Sequence, residues 1–390
     1  MIVEYPEVYV AGVGTTPFRQ QPDIGLVDLA VDAGRRALDD AGLAPTDVDG
    51  IYFGNFLGRS LEGQGVLASI IAVRLGVMGV PTTNVEGACG SAGMAFRQGA
   101  LTVRAGASDV CLCIGAERMS AASTPEITRV LAEAGEMATD GIAGLTFPGF
   151  FGLVASAYAH VYGLSREHLS AVIMKNRDHA ITNPNAMFRS AVAAETLASA
   201  KPIADPLRLF DCSAICDGAA AAVVTTKARA QATGRPLVRV MASEQASGPV
   251  GVNQMTTLTT FPATTTCAER AYKAAGITAL DIDVAEVHDC FSITEVVDTA
   301  DLGFFAHGEA HEAIAEGATR SSTPGIVVNP SGGLLGRGHP VGATGLAQIH
   351  EIVHQLRGVA ENQVAGAQIG MSHNLGGAGA TATIAVLGRA

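Results

Sequence analysis

Asn84-Val85-Glu86-Gly87-Ala88-Cys89-Gly90-Ser91-Ala92-Gly93-Met94-Ala95-Phe96 sets one cysteine among small residues, immediately before a helix-compatible run. Gly87 and Gly90 let the backbone turn sharply and let a ligand approach, and the residues through Val103 predict a tightly packed helix. The sulfur of Cys89 then stands at a helix N-terminus, where unpaired N–H groups and the positive end of the dipole favour thiolate over thiol. This predicts a lowered pKa and a nucleophile; the plain alternative is a buried cysteine acting as a small hydrophobe.

Upstream, residues 8–13 alternate like a strand and end in Gly14-Thr15-Thr16-Pro17. Leu26, Ala30, Ala33 and Ala37 mark a helical face that stops at Ala41-Gly42. A strand entry at 47–54, a helix over 67–75 and a strand over 81–85 lead into Cys89, and 109–115 reads as a strand buried on both faces. From about Ser120 to Ala242 the texture changes, with a run of aromatic and long side chains and a partial cap at Ser165-Arg166-Glu167-His168. This stretch predicts an insertion folded over the site.

The final third repeats the first. Ala37-Leu38-Asp39-Asp40-Ala41-Gly42-Leu43, followed by Asp47-Val48-Asp49, is matched by Ala271-Tyr272-Lys273-Ala274-Ala275-Gly276-Ile277, followed by Asp281-Ile282-Asp283, at a constant spacing of 234 residues. Residues 110–115 find an echo in 365–370. A duplicated half predicts two similar sheets about a pseudo-twofold axis, with equivalent helix starts meeting in the middle. The division expected is 1–120 for the first half, 121–242 for the inserted loop domain, its end returning to the first sheet, and 243–390 for the second half.

Composition narrows the class. The 46 glycines, 48% hydrophobic and 16% charged residues suit a closely packed α/β enzyme, and the net charge of −12 argues against a nucleic-acid partner. Seven cysteines, mostly in apolar runs, predict no disulfide framework and a reducing, cytoplasmic setting. Neither Cys111-Leu112-Cys113 nor Cys212 with Cys216 reads as a metal site. Met1-Ile2-Val3-Glu4-Tyr5-Pro6 carries an acid and a proline where the apolar core of a secretory signal would stand, and the apolar stretches are interrupted before a membrane span is reached.

Polar chemistry recurs where apolar elements end, the usual place for sites in open α/β sheets. Besides Cys89 there are Glu286-Val287-His288-Asp289-Cys290-Phe291-Ser292, Gly338-His339-Pro340, and Met371-Ser372-His373-Asn374-Leu375-Gly376-Gly377. Two cysteines and three histidines together at such positions make a purely structural role improbable and point to a reactive site.

The set resembles the thiolase superfamily, and within it the sterol-carrier-protein-X type. Further matching motifs are Gly115-Ala116-Glu117-Arg118-Met119-Ser120, residues 203–212 with Asp217-Gly218-Ala219-Ala220, and Asn329-Pro330-Ser331-Gly332-Gly333. The resemblance implies a thiolase-like five-layer αβαβα fold and an acyltransferase that takes acyl-CoA and CoA, with coenzyme A as co-substrate and no permanently bound cofactor or metal. It implies that Cys89 attacks the acyl carbonyl and His339 accepts the thiol proton. His288 and His339 line one oxyanion site; the backbone N–H groups of Cys89 and Gly376 form the other. Where common thiolases carry a second reactive cysteine this chain has Asn374, so the second acid/base is expected at Cys290, with His373 as the other candidate.

The favoured reaction is CoA-dependent cleavage of a 3-oxoacyl-CoA to acetyl-CoA or propionyl-CoA and a shortened acyl-CoA, or its reverse. A retro-aldol lyase acting on 3-hydroxyacyl-CoA side chains with a small zinc-ribbon/OB-fold partner is the second reading, and a non-catalytic lipid-binding protein the third. Ser247 is expected near the pantetheine arm, while Lys175, Arg177, Arg189 and Lys201 are weighed as phosphate partners against solvated helix faces. An apolar acyl channel is expected from residues 147–151 and 187–188, and the family implies a homodimer by sheet extension.

Overall fold

Apolar runs bounded by glycine and proline turns become strands, and runs with apolar residues three and four apart become helices, in the computed structural model, which describes residues 6–390. The strands are β1 (Val8–Thr15), β2 (Gly50–Gly54), β3 (Thr82–Val85), β4 (Val110–Glu117), β5 (Pro202–Ala204), β6 (Leu207–Arg208), β7 (Gly218–Thr226), β8 (Val238–Ser247), β9 (Val284–Glu286), β10 (Val327–Val328), β11 (Ile369–Gly376) and β12 (Thr381–Arg389). β5 and β6 form a small hairpin, and the other ten lie in the order β10-β9-β11-β12-β8-β1-β7-β4-β2-β3.

That order is two five-stranded halves joined edge to edge. β1 meets β8 only at Tyr9 with Arg239 and Val10 with Val238. Within each half three strands pair in parallel and the fourth neighbour is antiparallel: β3, β2 and β4 against β7, and β10, β9 and β11 against β12. The repeat extends to hydrogen bonds. The Asp49 carboxylate accepts the N–H groups of Asp109 and Val110 at the entry to β4, and Asp283, 234 residues on, accepts those of Gln368 and Ile369 at the entry to β11. Gly42 and Gly276 both end their helices with φ near +70°. These bonds align Val110 with Ile369, so the echo expected at 365–370 lies four residues too early: those residues largely form the turn before β11.

Five layers result. The helices Ser91–Arg104 and Thr344–Arg357 form the middle layer, each packing on strands of both halves. Leu26–Ala41 and Leu67–Leu75 cover the outside of the first half; Pro262–Ala275 and Ser292–Asp301 cover the second. Between β4 and β7 the helices Phe147–Tyr162 and Arg166–Ala180 pack over the second half.

The two middle-layer helices pack through side chains such as Phe96, Leu346 and Ile349 along their length, but at their starts the contact is made by backbone. A Cβ on Gly345 would lie 2.5 Å from Gly93 N, and one on Gly115 would lie 2.4 Å from Gly342 O. The two helix starts therefore meet as the repeat predicts. Gly115→Ala should cost about 1–3 kcal/mol, because the obstructing atom is a carbonyl that cannot rotate away. Denaturant unfolding reads this as a lowered midpoint; an unchanged midpoint would mean the layer yields.

Candidate active site

Cys89 sits in a 3₁₀ turn, Ala88–Gly90, that runs directly into the helix Ser91–Arg104. Ala88 holds φ +51°, a conformation that costs a non-glycine residue energy and needs support. Support comes from three bonds: Ala88 N–H donates to Glu86 Oε1 at 2.7 Å, Gly87 N–H to Ser91 Oγ at 3.0 Å, and Ser91 Oγ to the Ala88 carbonyl at 2.6 Å. The sulfur is at the helix start, as expected, but its ionisation is not what that position predicts. Burial pushes the Cys89 thiol up to about 12, aided by the Glu117 charge and opposed by the N–H groups of Gly377 and Cys89. A helix start enclosed between two sheets loses more from missing water than it gains from its dipole.

His339 follows the short helix Gly333–Arg337. Its Nδ1 lies 2.7 Å from Thr344 Oγ1, which is itself 3.2 Å from the Pro340 carbonyl. A hydroxyl that donates to that carbonyl accepts from the imidazole, which assigns the proton to Nδ1 and leaves a lone pair on Nε2. Burial, with Arg337 nearby, pushes His339 down to about 3. The ring is therefore neutral, as a base must be.

His288 follows β9. Asn374 Nδ2 donates to its Nδ1 at 2.8 Å, and its ring stands nearly perpendicular to that of His339, with centroids 5.1 Å apart. Burial, and the neighbouring histidines, hold His288 well below its usual range. Cys89 Sγ and ring nitrogens of His288 and His339 all lie within 4.8 Å of one another. The motif's Asp289 ties the His288 and His339 segments together by accepting Leu334 N–H at 2.7 Å, Leu335 N–H at 3.2 Å and Asn176 Nδ2 at 2.7 Å.

A cavity of about 180 Å³ opens onto Cys89 and His339, with Cys290 and Gly377 also in its lining and walls of Ile127, Leu131, Phe147, Phe151, Phe291 and others, while His288 is buried behind that lining. Cys290 Sγ is 3.9 Å from Thr294 Oγ1, and burial pushes its thiol up. Two motifs noted in the sequence hold this region in place. Asp211 accepts both Arg166 guanidinium nitrogens and Ser292 Oγ; Asp217 accepts the N–H groups of Met119, Ser120 and Gln21.

Several expected positions move. His373 faces the opposite side of β11 from Asn374, with Nε2 3.0 Å from Thr264 Oγ1 and Nδ1 3.6 Å from Asp298, away from the cavity. Strand alternation is the reason: adjacent residues cannot share a face. Gly376 packs against Gly87, whose carbonyl would lie 2.4 Å from an added Cβ, and Gly377 instead turns its N–H toward the Cys89 sulfur. Ser247, expected beside the pantetheine arm, keeps an exposed place at the end of β8. Lys175 is buried on Glu295 and the Val328 carbonyl, and Arg177 lies over Phe188, so neither faces solvent for a phosphate. Phe147 and Phe151 line the cavity, whereas Phe150 is core, Met187 packs under Gly338 and Phe188 under Arg177. Asn374, Asp289 and Gly377 lie inside the motifs quoted above, where the expected roles fall on their neighbours, and Thr344 lies four residues beyond Gly338-His339-Pro340.

Among the described residues two groups have metal-like spacing, Cys89 with His288 and His339, and His168 with His311 and Glu312. In each, one histidine is oriented wrongly for a ligand. His288 Nδ1 accepts from Asn374, and His168 Nδ1 accepts from Ser165 N–H at 3.0 Å, so each Nε2 carries the proton. A ligating imidazole instead donates from its distal nitrogen.

Comparison with known proteins gives matches along the whole chain. The model "Thiolase, N-terminal domain" matches residues 8–228 and "Thiolase C-terminal domain-like" matches 245–389. The chain is 41% identical over 384 residues to an acetyl-CoA acetyltransferase of Methanothermobacter thermautotrophicus, covering 98% of this chain and all of the relative. It is 32% identical to human sterol carrier protein 2 over 96% of this chain and 70% of that protein. Among solved structures, an Ltp2–ChsH2(DUF35) aldolase superposes with TM-score 0.86 at 26% identity, covering 98% of both chains. Human mitochondrial 3-ketoacyl-CoA thiolase in complex with CoA gives 0.77 at 18%, covering 99% and 98%. Both halves are matched in order, and the motif residues converge on one cysteine: the chain belongs to the thiolase family.

Proposed function

We propose that the protein is a thiolase that cleaves a 3-oxoacyl-CoA with free CoA, or runs the reverse condensation, through an acyl group held on Cys89. The observation that carries this is the gathering of Cys89, Cys290 and His339 at one apolar cavity. His339 Nε2 takes the thiol proton as the sulfur attacks the 3-oxo carbon; a thiol raised to about 12 beside a neutral imidazole calls for transfer during attack rather than a resting ion pair. The C2–C3 bond then breaks, and the departing enolate is held by Nε2–H of His288 and of the now protonated His339. Cys290 gives the enolate its proton, releasing acetyl-CoA or propionyl-CoA. CoA finally attacks the acyl-Cys89 thioester, its thiol proton passing to the Cys290 thiolate, and the Cys89 sulfur leaves by taking back the proton held on His339, releasing the shortened acyl-CoA. The N–H groups of Cys89 and Gly377 serve the tetrahedral oxyanion.

The enzyme is an acyltransferase with coenzyme A as co-substrate, consistent with its acetyl-CoA acetyltransferase relatives. The insertion, taken as 121–242, walls the acyl cavity with Ile127, Phe147, Phe151 and Ile215. A homodimer through β3 is supported by that strand's position at the edge of the sheet, with Val66, Val73 and Met78 exposed nearby. Seven free cysteines support a reducing, cytoplasmic setting, and among the described residues no helix is long and apolar enough to cross a membrane.

The aldolase neighbour keeps a second reading in play: retro-aldol cleavage of a 3-hydroxyacyl-CoA beside a small partner protein. That chemistry needs no acyl-cysteine. Incubation with acetyl-CoA followed by peptide mass spectrometry should find an acetyl group on Cys89, discharged by free CoA. An unmodified Cys89, with aldehyde or ketone released from a 3-hydroxyacyl-CoA, would favour the lyase.

A further inference from the structure

We propose that Asn374 is a positioning residue that fixes the proton of His288 on Nε2, so that the two imidazoles facing Cys89 stand in opposite tautomers, one a base and the other a donor. The inference rests on the thiolase reading for its kinetic consequence, but the tautomer itself does not.

The amide orientation comes first. Asn374 is on β11, 1% exposed, with Nδ2 2.8 Å from His288 Nδ1. Its Oδ1 has no hydrogen-bond partner and lies 3.0 Å from where a Cβ on Gly345 would stand, a point itself 2.5 Å from Gly93 N. Gly345 and Gly93 are in the first turns of the two middle-layer helices. Those turns carry N–H groups without intrahelical partners and the positive ends of two dipoles. An oxygen is favoured there over an NH₂ group, which puts the NH₂ toward His288.

An NH₂ group can only donate, so His288 Nδ1 must accept, and a neutral imidazole that accepts at Nδ1 carries its hydrogen on Nε2. Across a ring-centroid distance of 5.1 Å, Thr344 does the reverse for His339. Two buried neutral rings of the same chemistry are thus given different work by two unlike neighbours. A cysteine at position 374 would offer His288 only a weak S–H donor, which also accepts weakly and so fixes the tautomer poorly. The residue that cannot shuttle a proton is the one that keeps the donor in register.

The first test is direct: ¹⁵N-histidine-labelled enzyme, examined by long-range ¹H–¹⁵N correlation, should show His288 as Nε2–H and His339 as Nδ1–H. His288 as Nδ1–H would overturn the proposal. The second test uses α-proton exchange of acetyl-CoA, which needs the donor, against acylation of Cys89, which is served by backbone N–H groups. Asn374→Leu, similar in size but without a donor, should slow exchange about 10²–10³-fold while acylation changes less than tenfold. Asn374→Asp should give exchange a limb that falls as pH rises, which the native enzyme lacks. At low pH a protonated His288 still donates from Nε2; as pH rises the ring loses that proton, keeps Nδ1–H on the carboxylate, and exchange falls. Both variants exchanging at the native rate with a native pH profile would overturn the proposal. Failure of the thiolase reading looks different: the native enzyme itself would show neither acylation nor exchange.

Discussion

Cys89→Ala should fold and bind acyl-CoA but lose CoA-dependent acyl transfer by about 10⁴-fold or more, because the residues around the sulfur act as a unit and lose their purpose with it. The side chain opens onto the cavity rather than into close-packed core, and its elbow is held by Glu86, Ser91 and backbone groups, none of which involves the thiol. A native unfolding midpoint with abolished turnover is therefore the expected pair of measurements. Full CoA-dependent cleavage by this variant would remove the acyl-enzyme, and with it the thiolase reading.

His339→Asn should slow acylation of Cys89 by about 10²–10⁴-fold, the usual range for a lost general base. The partner measurement is the pH profile of that step in the native enzyme. With His339 pushed down to about 3 by burial, the ring is already deprotonated around neutral pH, so no ascending limb should appear near 6.5, the ordinary histidine value. Glu117 is the group to watch instead. Burial raises it to about 7, and its charge opposes ionisation of Cys89, so acylation should ease downward as pH passes through 7. Glu117→Gln should remove that inflection and no other. A limb centred on 6.5 that vanishes in His339→Asn would mean the imidazole is far better solvated than its surroundings indicate.

The architecture was legible because duplication leaves marks that local physics enforces. Asp49 and Asp283 were visible as equivalents 234 residues apart, and each turns out to cap the same strand entry. The echo at 365–370 failed because glycine and alanine runs align loosely, and only hydrogen bonds fixed the offset. The site was legible at the level of motifs and not of atoms. The dipole argument at Cys89 was sound but incomplete, since a sequence does not show that the helix start is walled in by a second sheet. At 373 and 374 the period of two in a strand already said that only one side chain could face the site, though not which. Lys175 looked like a surface cation because nothing in its own segment announces Glu295.

The glycine contacts between the two central helices have a consequence for motion. Where Gly345 meets Gly93, backbone touches backbone with no side chain between, so the two helix starts beneath the cavity have no soft contact through which to shift and admit a bulky acyl group. Any breathing that lets substrate in or product out must come from the roof, the segment carrying Ile127, Phe147 and Phe151, while the floor stays still. Chain-length preference in this enzyme should therefore be adjustable by changes in that roof alone, leaving the chemistry beneath it untouched.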